Sequence, residues 1–313
     1  MKKMSIRKAY GQALADYGAE NPNVAVVVAD VSSSVQTGFF AKRFPERFFN
    51  VGITEQAMVD VAVGLALGGM IPFANTFAVL FLRAAEPIRT CVAYAKTNVK
   101  IVGSYSGLSN FKDGPTHHVE CDIAVMRAMP NITVVEAADA VEARKMVPAV
   151  AEHDGPVYLR LSRSDVPVLL DESYEVKIGK GVVIRDGSDV ALIASGVMVS
   201  RCLEAAEKLA EEGIDSYVVN MSTIKPLDTG LVVKLAEETG ALVTAEDHSI
   251  IGGLGGAVAE ALGEGKPANL ERIGVRDTFT ETALSYDELL DHYGMGVEDI
   301  VKAARRAVQR KRR

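Results

Sequence analysis

Asn50-Val51-Gly52-Ile53-Thr54-Glu55-Gln56-Ala57 joins a short apolar strand to a helix and places one carboxylate at the junction. Upstream, Val24-Ala25-Val26-Val27-Val28-Ala29-Asp30 is apolar throughout and also ends in an acid. An apolar run of this length reads as a strand buried on both faces. Such strands, alternating with helical patterns, predict an α/β fold of two doubly wound, mostly parallel-sheet domains. An acid in a first helical turn ordinarily complements the helix dipole, and for Glu55 alone that is the stronger reading. The same position also suits proton transfer, because backbone donors can hold the carboxylate while the apolar helix behind it excludes water.

Working outward, periodicity predicts helices over 5–17, 55–68, 83–96 and 138–153, with Pro148 kinking or ending the last. Strands are expected at 47–51, 99–103, 132–136 and 157–161. The stretch 162–188 reads as a linker with a short hairpin turning at Arg185-Asp186-Gly187-Ser188. A second unit follows, with strands at 189–194, 215–220 and 241–246 and helices at 199–212, 227–240, 255–262 and 298–313. The expected domains are 1–165 and 189–313, joined by a linker over 166–188.

The 313 residues are 48% hydrophobic and 24% charged, with a formal net charge of −7. That balance argues against nucleic acid as a partner but leaves room for a local arginine site for small anions. Cys91, Cys121 and Cys202 are too scattered for a disulfide framework or a zinc pair. Met1–Lys8 lacks the apolar core of a signal peptide. The most apolar helix, over 57–73, is broken by Asp60 and several glycines and is too short to span a bilayer. A cytoplasmic protein with no membrane contact is expected.

The sharpest motif is Asp113-Gly114-Pro115-Thr116-His117-His118. Gly-Pro forces a tight turn that gathers an acid and two imidazoles on one loop. The loop follows the strand at 99–103, where α/β folds commonly place their sites. It resembles, nearly letter for letter, the Asp-Gly-Pro-Thr-His signature of transketolases and deoxyxylulose-phosphate synthases. The Glu55 stretch resembles the pyrimidine-binding domain of that same thiamine-diphosphate family, whose catalytic glutamate falls on Glu55. Residues 1–165 look like this domain and 189–313 like the family's C-terminal domain. The diphosphate-binding domain, with a Gly-Asp-Gly motif and a later Asn as metal ligands, has no counterpart in the sequence. The resemblance therefore implies one subunit of a split transketolase. A separate N-terminal subunit would supply the diphosphate site and ligate Mg²⁺, two copies of each chain would assemble, and the substrates would be sugar phosphates.

By the same resemblance, Glu55 would hydrogen-bond the pyrimidine ring nitrogen of thiamine diphosphate and share the proton that activates the cofactor. Phe77 would pack on the pyrimidine ring. Two further aromatics of the family are replaced by Leu80 and Arg83, and Phe81 is the candidate substitute. Asp30 matches an acid near the thiazolium, although it could equally cap the Ser32-Ser33-Ser34 turn. His117 and Asp113 match residues that read substrate hydroxyls, with His117 also moving protons. Arg7, Ser34 and Arg163 match substrate-phosphate contacts, and Arg suits that task through its planar fork. Two departures stand out: Tyr105 replaces a phosphate-binding His, and His118 stands where a Gln is common. Gly252-Gly253-Leu254-Gly255-Gly256, after Glu246-Asp247-His248, is expected to be structural, so Asp247 and His248 are left off the catalytic set.

Three other activities remain open from sequence: the beta subunit of a 2-oxoacid dehydrogenase, a deoxyxylulose-phosphate synthase-like enzyme, and a non-catalytic regulatory paralogue. The Asp-Gly-Pro-Thr-His loop argues against the first. Intact Glu55, Asp113 and His117 argue against the last.

Overall fold

The computed structural model describes residues 2–311. The chain opens with a short strand, β1 (Lys3–Ser5), and runs straight into α1 (Ile6–Glu20), whose N-terminus is capped by the Ser5 hydroxyl accepting from Lys8 N–H at 3.3 Å. Then come β2 (Val24–Val28), α2 (Gly38–Arg43), β3 (Phe48–Asn50), α3 (Glu55–Leu67) and β4 (Ile71–Phe77). A helical segment containing the short α4 (Ala85–Pro87) leads to β5 (Lys100–Ser104). It is followed by α5 (Asp122–Ala128), β6 (Thr133–Glu136), α6 (Ala140–Glu152), β7 (Val157–Leu161) and β8 (Asp165–Pro167).

Strands β2 to β7 are parallel neighbours in the order β6-β7-β5-β4-β2-β3. Residues Val24–Val28 are all buried, as the apolar run requires, because helices cover both faces. The second unit contains β9 (Val182–Arg185), β10 (Val190–Ala194), α7 (Met198–Glu211), β11 (Ser216–Asn220), β12 (Thr223–Lys225) and α8 (Thr229–Thr239). After these come β13 (Ala241–Ser249), α9 (Leu254–Glu264), β14 (Asn269–Val275), α10 (Tyr286–His292) and α11 (Val297–Lys311). Its sheet order is β14-β13-β10-β11-β9. Both sheets are dominated by parallel pairs, so the α/β class and the parallel topology stand.

Several local expectations are corrected. The region 83–96 is not one regular α-helix: Ala78–Ala84 is a 3₁₀ turn and Ile88–Tyr94 is π-helical, with α4 between them. Pro87 has no N–H for the carbonyl of Arg83, which instead accepts from Gln56 Nε2 at 3.1 Å. Pro148 does not end α6, which continues to Glu152. No hairpin forms in 162–188. β8 pairs with β1, and β9 pairs antiparallel with β11. The Asp186-Gly187-Ser188 turn instead carries the chain past β11, where Gly187 lies so close to the backbone of Ser216 and Tyr217 that no Cβ could fit. β12, from the second half of the chain, adds antiparallel to β6 and extends the first sheet to seven strands. One hydrophobic cluster runs through both units, from Ile6 and Leu159 to Leu192 and Val301. The basic tail ends in Arg312 and Arg313, which lie outside the described residues.

Candidate active site

The C-terminal ends of β7, β5, β4, β2 and β3 line one edge of the first sheet, in that spatial order. Such edges are where open α/β sheets hold ligands, because each strand there gives way to a loop free to carry a side chain. Arg163 follows β7, Tyr105 follows β5, Phe77 ends β4, Asp30 follows β2, Asn50 ends β3 and Glu55 lies beyond it.

Glu55 is the first residue of α3 and is only 5% exposed. Thr54 makes no side-chain cap, so Glu55 is the acid of the first turn. The charged group nearest its carboxylate is Arg83, with Nη1 at 3.4 Å from Oε1, and the Arg83 side chain is 63% exposed. This is a loose pair of a buried carboxylate with a solvated cation. Arg83, which stands where the family resemblance leads one to expect an aromatic, is thus the counter-ion of Glu55.

Phe77 stacks on Tyr105, with ring centroids 4.1 Å apart and an interplanar angle of 27°. Arg7 donates to the Tyr105 hydroxyl at 3.0 Å and lies 4.6 Å over its ring. Arg163 covers the same ring at 5.2 Å. Arg7 also donates to the backbone carbonyls of Ser34 and Arg163, which brings α1, the Ser34 turn and the segment after β7 together. Burial pulls the Arg7 guanidinium below its usual range; Tyr105 opposes that pull and Arg163 adds to it. Two guanidinium groups beside one phenol are an arrangement that can hold an anion. Tyr105 itself holds a left-handed backbone, φ 59°, which is rare for an aromatic residue and marks a constrained position. Sequence reading saw Tyr105 only as a departure; the structure puts it at the centre of the cluster.

Asp30 does not cap the serine turn. Its backbone is also left-handed, φ 57°, and its carboxylate accepts from Asn50 Nδ2 at 3.1 Å. Asn50 Oδ1 in turn accepts from the N–H groups of Asp30, at 3.0 Å, and of Gly52, at 3.1 Å. Asn50 therefore ties β2 to the segment entering α3. Sequence reasoning missed this residue, although an Asn closing a strand was a usable signal. Phe81 needs correction as a cofactor contact. It is fully buried, edge-on to Tyr158 at 6.3 Å, and leaves no surface for a bound ring.

The loop 105–119 carries the remaining candidates. Gly114 is left-handed, φ 77°, and its carbonyl accepts from the N–H groups of His117 and His118 at 2.9 and 3.0 Å. Asp113 is exposed and His117 is half-buried, with its ring centroid 6.4 Å from that of Phe77. Thr116 Oγ1 lies 3.0 Å from His117 Nδ1, which leaves Nε2 without a hydrogen bond among the described residues. His118 is different: it is buried, between the carbonyl of Asn110 at 3.0 Å and Thr280 Oγ1 at 2.7 Å. Burial, the largest influence on it, lowers its pKa, and both ring nitrogens are already taken by protein partners.

Beneath this edge lies a wholly buried polar network. Arg160 bridges Asp122, Glu136 and the carbonyl of Asp247. Burial opposes its charge, but Asp122 and Glu136 outweigh that and hold its pKa well above the ordinary value. In the glycine-rich segment, Glu246 accepts from Leu254 N–H at 2.6 Å and Gly255 N–H at 2.8 Å. The start of α9 is thus filled by an internal carboxylate rather than open to a phosphate. Burial pushes Glu246 up to about 7. Among the described residues, no group of three or more His, Cys, Asp or Glu is placed to hold a metal, and no helix is long and apolar enough to cross a membrane. A concavity of about 1040 Å³ lies away from the edge, between α1, α2, α6 and residues 168–172.

Comparison with known proteins finds two family domains along the chain. Residues 2–168 match the transketolase pyrimidine binding domain and residues 179–300 match the transketolase C-terminal domain. A protein of Methanocaldococcus jannaschii, provisionally assigned as a transketolase C-terminal section, is 44% identical over 95% of this chain and 94% of its own length. A 6-deoxy-6-sulfo-D-fructose transketolase subunit of Clostridium sp. (strain MSTE9) is 40% identical over 98% of this chain and 95% of its own length. A solved structure described as a split gene transketolase, inactive beta4 tetramer, superposes with a TM-score of 0.90 at 45% identity, covering 98% of this chain and 99% of that one.

Proposed function

The chain belongs to the transketolase family, and from that membership we propose that it is the C-terminal subunit of a split, thiamine-diphosphate-dependent transketolase that moves a two-carbon ketol unit between sugar phosphates. Its full-length relatives include a subunit of a transketolase and a split-gene transketolase chain, which supports a separate N-terminal partner and an oligomeric assembly. The observation that carries the reading is the single sheet edge holding Glu55, Phe77, the paired arginines and the Asp113–His117 loop.

The residues present fit the cofactor's pyrimidine. Glu55 offers a buried carboxylate whose counter-ion is loose and exposed, and Phe77 offers a half-buried ring. When bound, thiamine diphosphate supplies carbanion chemistry that protein side chains lack. Glu55 holds or shares a proton at the pyrimidine nitrogen, and the low exposure of the carboxylate keeps that proton from water. Phe77 orients the ring, and Asp30, fixed by Asn50, sets the neighbouring wall. His117 Nε2 is free to exchange a proton with a substrate oxygen, with Asp113 reading an adjacent hydroxyl. Arg7 and Arg163, with the Ser34 turn, take the terminal anion of the sugar. Mg²⁺ and its ligands belong in this scheme to the partner subunit, and the protein works in the cytoplasm.

Assay of each chain, and of the mixture, for ketol transfer between pentose phosphates with thiamine diphosphate and Mg²⁺ tests the proposal. Activity only in the mixture is expected. Turnover by this chain alone would end the split-site reading, and a stable complex inert toward every sugar phosphate would end the transketolase reading. Within the active mixture, Arg7→Met is expected to raise KM for a phosphorylated substrate by about tenfold or more, from the loss of a charged hydrogen-bond donor. It should leave KM for an unphosphorylated ketol donor nearly unchanged. Equal effects on both donors would remove Arg7 from the anion site.

A further inference from the structure

The second unit reaches back to hold the loop that carries Asp113 and His117. That loop leaves β5 at Tyr105 and is closed at its base by a bridge between Gly107 and Val119, whose N–H donates to the Gly107 carbonyl at 3.1 Å. At the next residue, Leu108 N–H donates to both carboxylate oxygens of Asp247, each at 3.1 Å. Asp247 lies in β13 and is 3% exposed. Its carboxylate also accepts from the Tyr286 hydroxyl of α10 at 2.5 Å. Gly107 is left-handed, φ 56°, and a Cβ there would overlap the Asp247 carboxylate, so the loop backbone can meet the acid only because this residue is Gly. The far side of the loop is held from the same unit. Thr280 contacts His118 and donates to Glu120 at 2.9 Å, Ser249 N–H donates to the Glu120 carbonyl at 2.8 Å, and Ala283 N–H donates to the Phe111 carbonyl at 3.0 Å.

Among the described residues, no cation forms an ion pair with the Asp247 carboxylate; Arg160 bonds its backbone carbonyl instead. A buried carboxylate without a direct cation is costly, and here it is spent on one loop amide and one hydroxyl. We propose that Asp247, steadied by Tyr286, is a positioning residue that sets the Leu108–His118 loop against the Phe77 edge so that Asp113 and His117 meet the substrate. The proposal rests on reading that loop as the substrate loop, and it gives the second unit a part in substrate binding that neither its sheet nor its glycine-rich segment supplies.

Two measurements separate the clamp from the functional reading. Hydrogen exchange on the full chain reports the loop directly, and KM and kcat in the two-chain assembly report its use. Asp247→Ala is expected to speed exchange over 105–120 by about tenfold or more while the β2–β7 sheet stays protected. Asp247→Asn retains an acceptor for Leu108 N–H and should restore most of the protection. Tyr286→Phe, which removes one hydroxyl, should give an intermediate rate and serves as the test if Asp247→Ala fails to fold. In the assembly, Tyr286→Phe should raise KM for the sugar phosphate several-fold with kcat changed less than about twofold. Unchanged loop exchange, exchange accelerated over the whole chain, or a faster loop with unaltered KM would each overturn the proposal. A wild-type assembly without ketol transfer would overturn the functional reading, and loop exchange would still judge the clamp.

Discussion

Glu55→Gln, assembled with the diphosphate-binding subunit, is expected to lose about 10²- to 10⁴-fold in ketol transfer while folding and assembling as the wild type does. The argument is one of proton inventory. An amide has the shape of the carboxylate, but it cannot hold or share a proton with a ring nitrogen at neutral pH. The fold has little reason to respond: the group is 5% exposed, and its counter-ion is a 63%-exposed arginine at 3.4 Å. A loose pair with a solvated partner contributes little to stability. The measurement is steady-state turnover of the mixture beside the thermal midpoint of the isolated chain. Turnover within tenfold of wild type would remove Glu55 from proton transfer. A lost midpoint together with lost activity would make Glu55 structural instead.

How much of this was legible beforehand follows from which interactions are local. The strand Val24–Val28 and the helix beginning at Glu55 were readable because burial on two faces and the polar-to-apolar switch are written in adjacent residues. The loop of Asp113 and His117 was readable because Gly-Pro dictates a turn. β12 was not, since a three-residue strand has almost no period of its own and exists only because β6 offers an edge. Tyr105 was misjudged for a related reason. Its place in the cluster depends on Phe77, Arg7 and Arg163 arriving from three other elements, which no local pattern announces. Phe81 erred in the opposite direction: an aromatic near the site in sequence was turned into the core by the 3₁₀ turn after β4. Asp247 was invisible as a loop anchor because its partner Leu108 lies 139 residues away.

Arg160→Met is expected to be the most destabilising single change in the chain, at about 3–5 kcal/mol, which lowers the thermal midpoint by on the order of 10 °C. Arg160 is fully buried and meets Asp122 at 2.8 and 3.2 Å, together with Glu136 and the Asp247 carbonyl. Asp122 also accepts from the Tyr158 hydroxyl at 2.7 Å, and Glu136 from Ser195 at 2.7 Å, so these acids have other donors but no second guanidinium. Methionine fills much of the volume, and what is lost is the charge that compensates two buried carboxylates. The pH dependence carries the sign of that explanation. Burial pushes Asp122 up, yet Arg160, aided by His248, outweighs it and holds the carboxyl below its ordinary value. In the wild type, this carboxylate's contribution is therefore present above the unfolded pKa and fades as pH falls through the folded one. Without Arg160, the burial that pushes Asp122 up is opposed mainly by its hydrogen bond from Tyr158, so its folded carboxyl binds a proton more readily than the unfolded chain does, and the variant regains stability as pH falls toward the unfolded carboxylate range. The gap between wild type and variant should thus be widest near pH 7.5 and should narrow by pH 5, read as urea midpoints at the two values. The triple change Arg160→Met with Asp122→Asn and Glu136→Gln should recover much of the loss at pH 7.5, because the uncompensated charges are then gone. A gap that is constant with pH, or a triple variant no better than the single one, would mean that packing around Arg160, rather than its charge, holds the two units together.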